Sequence, residues 1–220
     1  RMTPHNSLIF LPASLSAHVI RRHVLQAHPL APLNGTYARL RCCPECRYKI
    51  SLRLGYLLWE VRESDVLFAL LAGMLQEHSR HPDPPEVRVY SLTRRAPPKS
   101  LTFRGSNVQF ISFSGVSGLD GAEVIRRERT EVLLDLTTYG GLSGAHILKH
   151  LPAPIQAGYL GYPGPKLAPF INASFWDPVS LPPELVVPAA WGSERIVYMP
   201  GPAMPSSHAV LFGPSPPSCR

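Results

Sequence analysis

The sequence predicts an α/β fold, a Rossmann-like and mostly parallel sheet with helices on both faces. From Leu52 onward, short apolar runs of strand length alternate with helical stretches that carry their apolar residues on one side. Strands spaced in this way favour crossover connections, which are right-handed and lay helices against a parallel sheet. The 220 residues, 45% of them hydrophobic, suffice for one such core and do not require a second.

Residues 1–50 read as a leader and linker with one short helix over Ser14 to Gln26. Leu15, Val19, Ile20 and Val24 line one face behind a Ser14 cap, and Pro29 and Pro32 then break the pattern. No helical repeat is evident in so short a leader. Residues 51–200 read as the folded lobe. Its expected strands are Leu52–Trp59, Glu86–Leu92, Val108–Phe113, Glu131–Leu136, Ile155–Tyr162, Phe170–Trp176 and Arg195–Met199. A helix over Asp65–His78 carries Val66, Leu67, Leu70, Leu71, Met74 and Leu75 on one broad face. A second helix is expected from a cap at Asp120 through Arg129, and a short one ends over Ile147–Leu151. Pro182 and Pro183 open a helical turn through Leu185. Residues 201–220 are rich in Pro and Ser, which predicts a disordered tail.

Composition narrows the partners. The net charge of +7 suits an anionic ligand, but the basic residues are scattered, as at Arg94-Arg95 and Arg126-Arg127. Without a basic stripe interleaved with aromatics, no nucleic acid is expected. No apolar run reaches the roughly 18 residues that span a bilayer, and Arg1-Met2-Thr3-Pro4 lacks the apolar block of a signal peptide. No membrane is therefore expected, and the placement is cytoplasmic and/or nuclear. The initial Arg1 reads as the start of a fragment. Cys42, Cys43 and Cys46 lie together and only Cys219 is remote, which is no disulfide scaffold and fits a reducing compartment. Cys43 and Cys46 lack a second pair at zinc spacing, and His146 and His150 lack the helical Glu of a zinc protease motif, so no metal is expected. No GxGxxG follows the first strand, which disfavours a dinucleotide cofactor.

Ligands of open parallel sheets bind beyond the carboxyl ends of the strands, here the loops after Trp59, Leu136 and Tyr162. Asp135 closes a buried run, where a carboxylate can orient an acceptor or hold a loop. Gly161-Tyr162-Pro163-Gly164 permits close approach of backbone to a ligand, and equally makes a tight connection.

At these loops the residues resemble a known family. Glu131-Val-Leu-Leu-Asp135-Leu-Thr-Thr-Tyr139, followed by Leu151-Pro-Ala-Pro-Ile-Gln156-Ala-Gly-Tyr-Leu-Gly161-Tyr-Pro-Gly164, is similar to the amino-terminal catalytic lobe of the protein O-GlcNAc transferase and SPINDLY family. Weaker matches are Arg53-Leu-Gly-Tyr56, Asp177 through Pro182-Pro183-Glu184, and Arg195-Ile-Val-Tyr-Met-Pro200. The resemblance implies one lobe of a two-lobed GT-B enzyme, an inverting glycosyltransferase without a metal or other cofactor. It implies transfer of GlcNAc from the donor substrate UDP-GlcNAc to Ser or Thr hydroxyls of intracellular acceptor proteins.

It also implies site residues. Asp135 and Tyr139 fall at the catalytic loop, although Thr138 and Gly140 depart from the family's Gly-Tyr-Thr. Gln156, Gly161, Tyr162, Pro163 and Gly164 fall at the substrate cleft, where Pro165-Lys166-Leu167 replaces the small polar residues usual in the family. Read without gaps on the pattern Arg-Ile-Gly-Tyr-x-Ser-x-Asp-Phe-x-x-His, Glu60 stands at the Asp and Ser64 at the His. Serine cannot serve as a base near neutral pH as imidazole does. The chain is therefore expected to be an incomplete enzyme, inactive alone, with a non-catalytic interaction module of the same ancestry as the alternative.

Overall fold

The computed structural model describes residues 52–60, 62, 66–93, 107–139, 143–192, 194–205 and 207. The expected Ser14–Gln26 helix, Ser64, the cysteines and residues 208–220 lie outside this set. Seven strands form one sheet: β1 (Arg53–Leu58), β2 (Glu86–Ser91), β3 (Val108–Ser112), β4 (Val132–Asp135), β5 (Ile155–Gly158), β6 (Ala173–Trp176) and β7 (Arg195–Tyr198). Their order is β3-β2-β1-β4-β5-β6-β7, and every neighbouring pair is parallel. The sheet is Rossmann-like, as the alternation of elements predicts.

Alternation of side chains across the pleat divides the core into two layers. Leu54, Tyr56 and Leu58 of β1 join Val87, Val89 and Leu134 on one face, packed with Leu71, Ala72 and Leu75 of α1 (Val66–Arg80). Leu57, Tyr90 and Leu133 point the other way, onto Ala122 and Ile125 of α2 (Gly118–Arg127) and Ile147 and Leu148 of α3 (Ala145–Leu148). Burial on both faces explains why the central strands read as near-continuous apolar runs.

Several boundaries differ from expectation, and three of them have a clear local reason. Helix α2 is capped by Ser117, whose Oγ accepts from the Asp120 backbone N–H at 3.2 Å and donates to the Asp120 carboxylate at 2.7 Å. Asp120 is thus the third helical residue of a reciprocal cap, and the helix ends at Arg127. Strand β5 stops at Gly158 because Leu160 turns left-handed with φ 56° and the Gly161 N–H folds back to the Tyr159 carbonyl at 2.6 Å. Strand β6 starts at Ala173 because Ile171 closes a turn on Ala168. The sequence reading also missed α4 (Pro188–Trp191), which follows the expected turn at Pro183–Leu185.

Residues 201–205 and Ser207, part of the tail expected to lack order, pack on the lobe. Ala203 is buried, its N–H donates to Asp177 Oδ2 and its carbonyl accepts from the Tyr159 hydroxyl, both at 2.8 Å. Ser207 Oγ donates to the Leu70 carbonyl of α1 and accepts from the Gly73 N–H.

Candidate functional site

Strand order reverses direction between β1 and β4, so the ligand crevice of this sheet opens beyond Leu58 and Asp135. Asp135 ends β4 there and is buried. Its Oδ1 accepts from the Thr137 N–H at 2.9 Å and the Thr137 hydroxyl at 2.6 Å, while its Oδ2 accepts from Lys166 Nζ at 2.8 Å. Both carboxylate oxygens are engaged within the lobe, and the loop-holding role open to an acidic residue at a turn is the one its contacts serve.

Lys166 is the residue that sequence reasoning missed. In sequence it only stands where small polar residues are usual in the family, yet its ammonium also donates to the Thr137 carbonyl at 2.6 Å and lies over two rings, Tyr139 at 5.4 Å and Tyr162 at 5.8 Å. The rings meet edge to face with centroids 5.0 Å apart. The Tyr139 hydroxyl donates to the Lys166 carbonyl. Burial, and after it the Asp135 charge, hold the Tyr139 phenol well above its ordinary range, and burial raises that of Tyr162. Neither phenol is a base near neutral pH.

The turn after β5 is pressed against β4. A Cβ on Gly161 would stand 1.9 Å from the Leu136 carbonyl oxygen, so no other residue fits this approach. Leu160 and Leu167 bracket the segment with φ of 56° and 49°. Left-handed backbone at residues with a Cβ costs about 1–3 kcal/mol each and persists only where surrounding contacts over-determine it. Lys166 and Glu194 supply such contacts. Buried Glu194 accepts from the Leu167 N–H at 2.9 Å and from the Ser174 hydroxyl, and burial pushes its carboxyl above the ordinary range against the pull of those hydrogen bonds.

Of the remaining expected site residues, Tyr162 and Gly164 are buried, while Pro163 is exposed at the turn's tip. Gln156 is wholly buried, donating from Nε2 to the carbonyls of Phe170 at 2.6 Å and Leu148 at 3.1 Å. It frames the cleft from inside the sheet rather than facing it. Glu60 is buried beside the crevice and pairs with Arg62 at 2.5 Å. Asp177 collects the N–H groups of Val179, Ser180 and Ala203 and the Ser180 hydroxyl, and these donors, Ala203 foremost, hold its carboxyl down at about 2. A small pocket of ≈ 60 Å³ opens among Gly158, Tyr162, Lys166, Ser174, Trp176 and Met204. Nucleotide-sized ligands need cavities of about 300 Å³ or more, so this pocket admits only a small group.

His146 and His150, spaced as a two-His metal face, do not share a helix, since α3 ends at Leu148. His146 Nδ1 sits 2.7 Å from the Ser143 carbonyl, and His150 lies beyond the end of α3. Among the described residues no group of three or more His, Cys, Asp or Glu could hold a metal ion, and no helix is long and apolar enough to cross a membrane.

Known proteins resemble this chain in sequence and in fold. Over 94 residues the chain is 30% identical to a probable UDP-N-acetylglucosamine–peptide N-acetylglucosaminyltransferase, SEC, of Arabidopsis thaliana, covering 41% of this chain and 9% of that protein. A solved mutant of the Thermobaculum terrenum O-GlcNAc transferase superposes with a TM-score of 0.69 at 18% identity, over 92% of this chain and 38% of that one. The chain thus spans well under half the length of either protein, and the second likeness speaks for the fold. Residues 51–213 match the model of glycosyl transferase family 41, and the chain belongs to that family.

Proposed function

We propose that this chain supplies one wall of a sugar-transfer cleft in a protein O-GlcNAc transferase. In this reading UDP-GlcNAc is the donor, Ser or Thr hydroxyls of cytoplasmic and/or nuclear proteins are the acceptors, and a second lobe completes the site. The observation that carries it is the meeting of the 135–139 and 158–167 segments at the carboxyl edge of the sheet, in a chain of family 41. Transfer requires a proton acceptor for the hydroxyl and stabilisation of charge on the departing diphosphate. Asp135 and Tyr139 act here as positioning residues, because one is ion-paired and the other is a phenol held protonated. The turn Gly161-Tyr162-Pro163-Gly164 faces substrate through its exposed tip at Pro163, with Tyr162 and Gly164 holding it from within. The ≈ 60 Å³ pocket cannot enclose a nucleotide sugar, which supports a donor held chiefly by another lobe.

The test is transfer of radiolabelled GlcNAc to acceptor protein by the purified chain, alone and mixed with a separately expressed second lobe of the family. The expected result is no turnover alone and measurable transfer on mixing. Robust transfer by the chain alone would refute its incompleteness. Binding to the second lobe without any transfer would favour the interaction module instead.

A further inference from the structure

We propose that Asp135, Thr137, Tyr139 and Tyr162 form an ammonium-binding cage whose present ligand is the chain's own Lys166, and that with this side chain shortened the cage binds a free primary alkylammonium ion. The elements of cation recognition are all in place. A carboxylate lies 2.8 Å from the nitrogen, a carbonyl oxygen lies 2.6 Å away, and two aromatic rings stand with centroids at 5.4 and 5.8 Å. Such rings attract a cation through their quadrupole, more strongly once water is excluded. The partners are nearly dry, with 3% of the Lys166 side chain and 6% of the Asp135 side chain exposed.

The cage also has a channel for an aliphatic stem. A Cβ on Gly158 would stand 3.1 Å from Lys166 Cγ and 3.4 Å from its Cε, so the stem runs over the one position in β5 that offers it room. The small pocket is lined by both Gly158 and Lys166, which gives a free amine a route of entry. Occupancy of the cage in turn fixes the segment between the left-handed Leu160 and Leu167. The inference does not depend on the transferase reading, since it concerns binding and not turnover.

Lys166→Ala removes a propylammonium group, so the experiment adds n-propylammonium chloride to the Lys166→Ala variant of the full 220-residue chain and follows its melting temperature. A saturable rise recovering at least half of the loss is expected at millimolar concentrations. No rise is expected with 1-propanol, or in the Asp135→Asn, Lys166→Ala double variant. An equal response to the alcohol or in the double variant, or no response at all, would overturn the proposal. Should Lys166→Ala fail to fold, the pair Lys166→Met and Asp135→Asn decides. Each single change is expected to lower the melting temperature more than the two together, and additive losses would overturn the cage.

Discussion

The two halves of the sheet use ion pairs in opposite settings. On the β1–β3 side Arg53 meets Glu86 at 3.2 Å, and Arg88 meets Glu128 at 2.7 Å, with 14–35% of each side chain still in water. On the β4–β6 side Lys166 meets Asp135 at 2.8 Å almost out of water. A solvated pair is screened and adds little, whereas a buried pair cannot lose one member without stranding a charge at low dielectric. Those two pairs of the first half therefore tolerate rearrangement of their charges. The buried Lys166–Asp135 pair does not, and Asp135 stands at the ligand crevice.

Four measurements break or sharpen that contrast. Asp135→Ala should cost about 3–5 kcal/mol in denaturant unfolding, the penalty of a stranded buried partner. A loss as small as that of a surface pair would erase the distinction between the halves. Gly161→Ala should cost about 1–3 kcal/mol, because the new methyl meets a backbone carbonyl that cannot rotate away. Unchanged stability would show that the turn yields freely.

Asp177→Asn probes the attachment of residues 201–205 to the lobe. The folded-state pKa of Asp177 lies below its ordinary value, at about 2, so its contribution is fully present above the usual carboxylate range and is lost as pH falls through about 2. The variant should melt below the native chain at pH 6 and together with it near pH 2; a gap independent of pH would show that charge is not the cause. Arg88→Ala should cost about 1 kcal/mol or less, with the deficit shrinking as salt is added. A salt-insensitive loss would place that pair with the buried one.

Much of this architecture was legible in the amino-acid pattern. Runs such as Glu131–Leu136 and the broad apolar face of α1 announce a doubly covered sheet, and the Gly161–Gly164 turn and Asp135 were both placed at its ligand edge. What escaped were facts of tertiary contact. Nothing local to Lys166 tells that a lysine, ordinarily a solvated residue, turns inward to a carboxylate 31 positions earlier. Glu194 likewise meets Ser174 only after β6 and β7 have paired. The cap on α2 was mistaken because Ser and Asp are both good caps and only the geometry chooses between them. Strand β5 looked longer than it is because apolar periodicity continues through Tyr159 and Leu160, where backbone direction changes without a change in composition.

The placement of β1 sets a timetable for biosynthesis. This strand emerges first among the seven yet takes its second neighbour, β4, only after α1, β2, β3 and α2 have been made. At about 5–20 residues per second the nascent chain waits roughly 4–15 s with one edge of this strand uncovered. During that interval the apolar segment Leu54–Leu58 presents an unpaired strand edge, the kind of surface that chaperones shield.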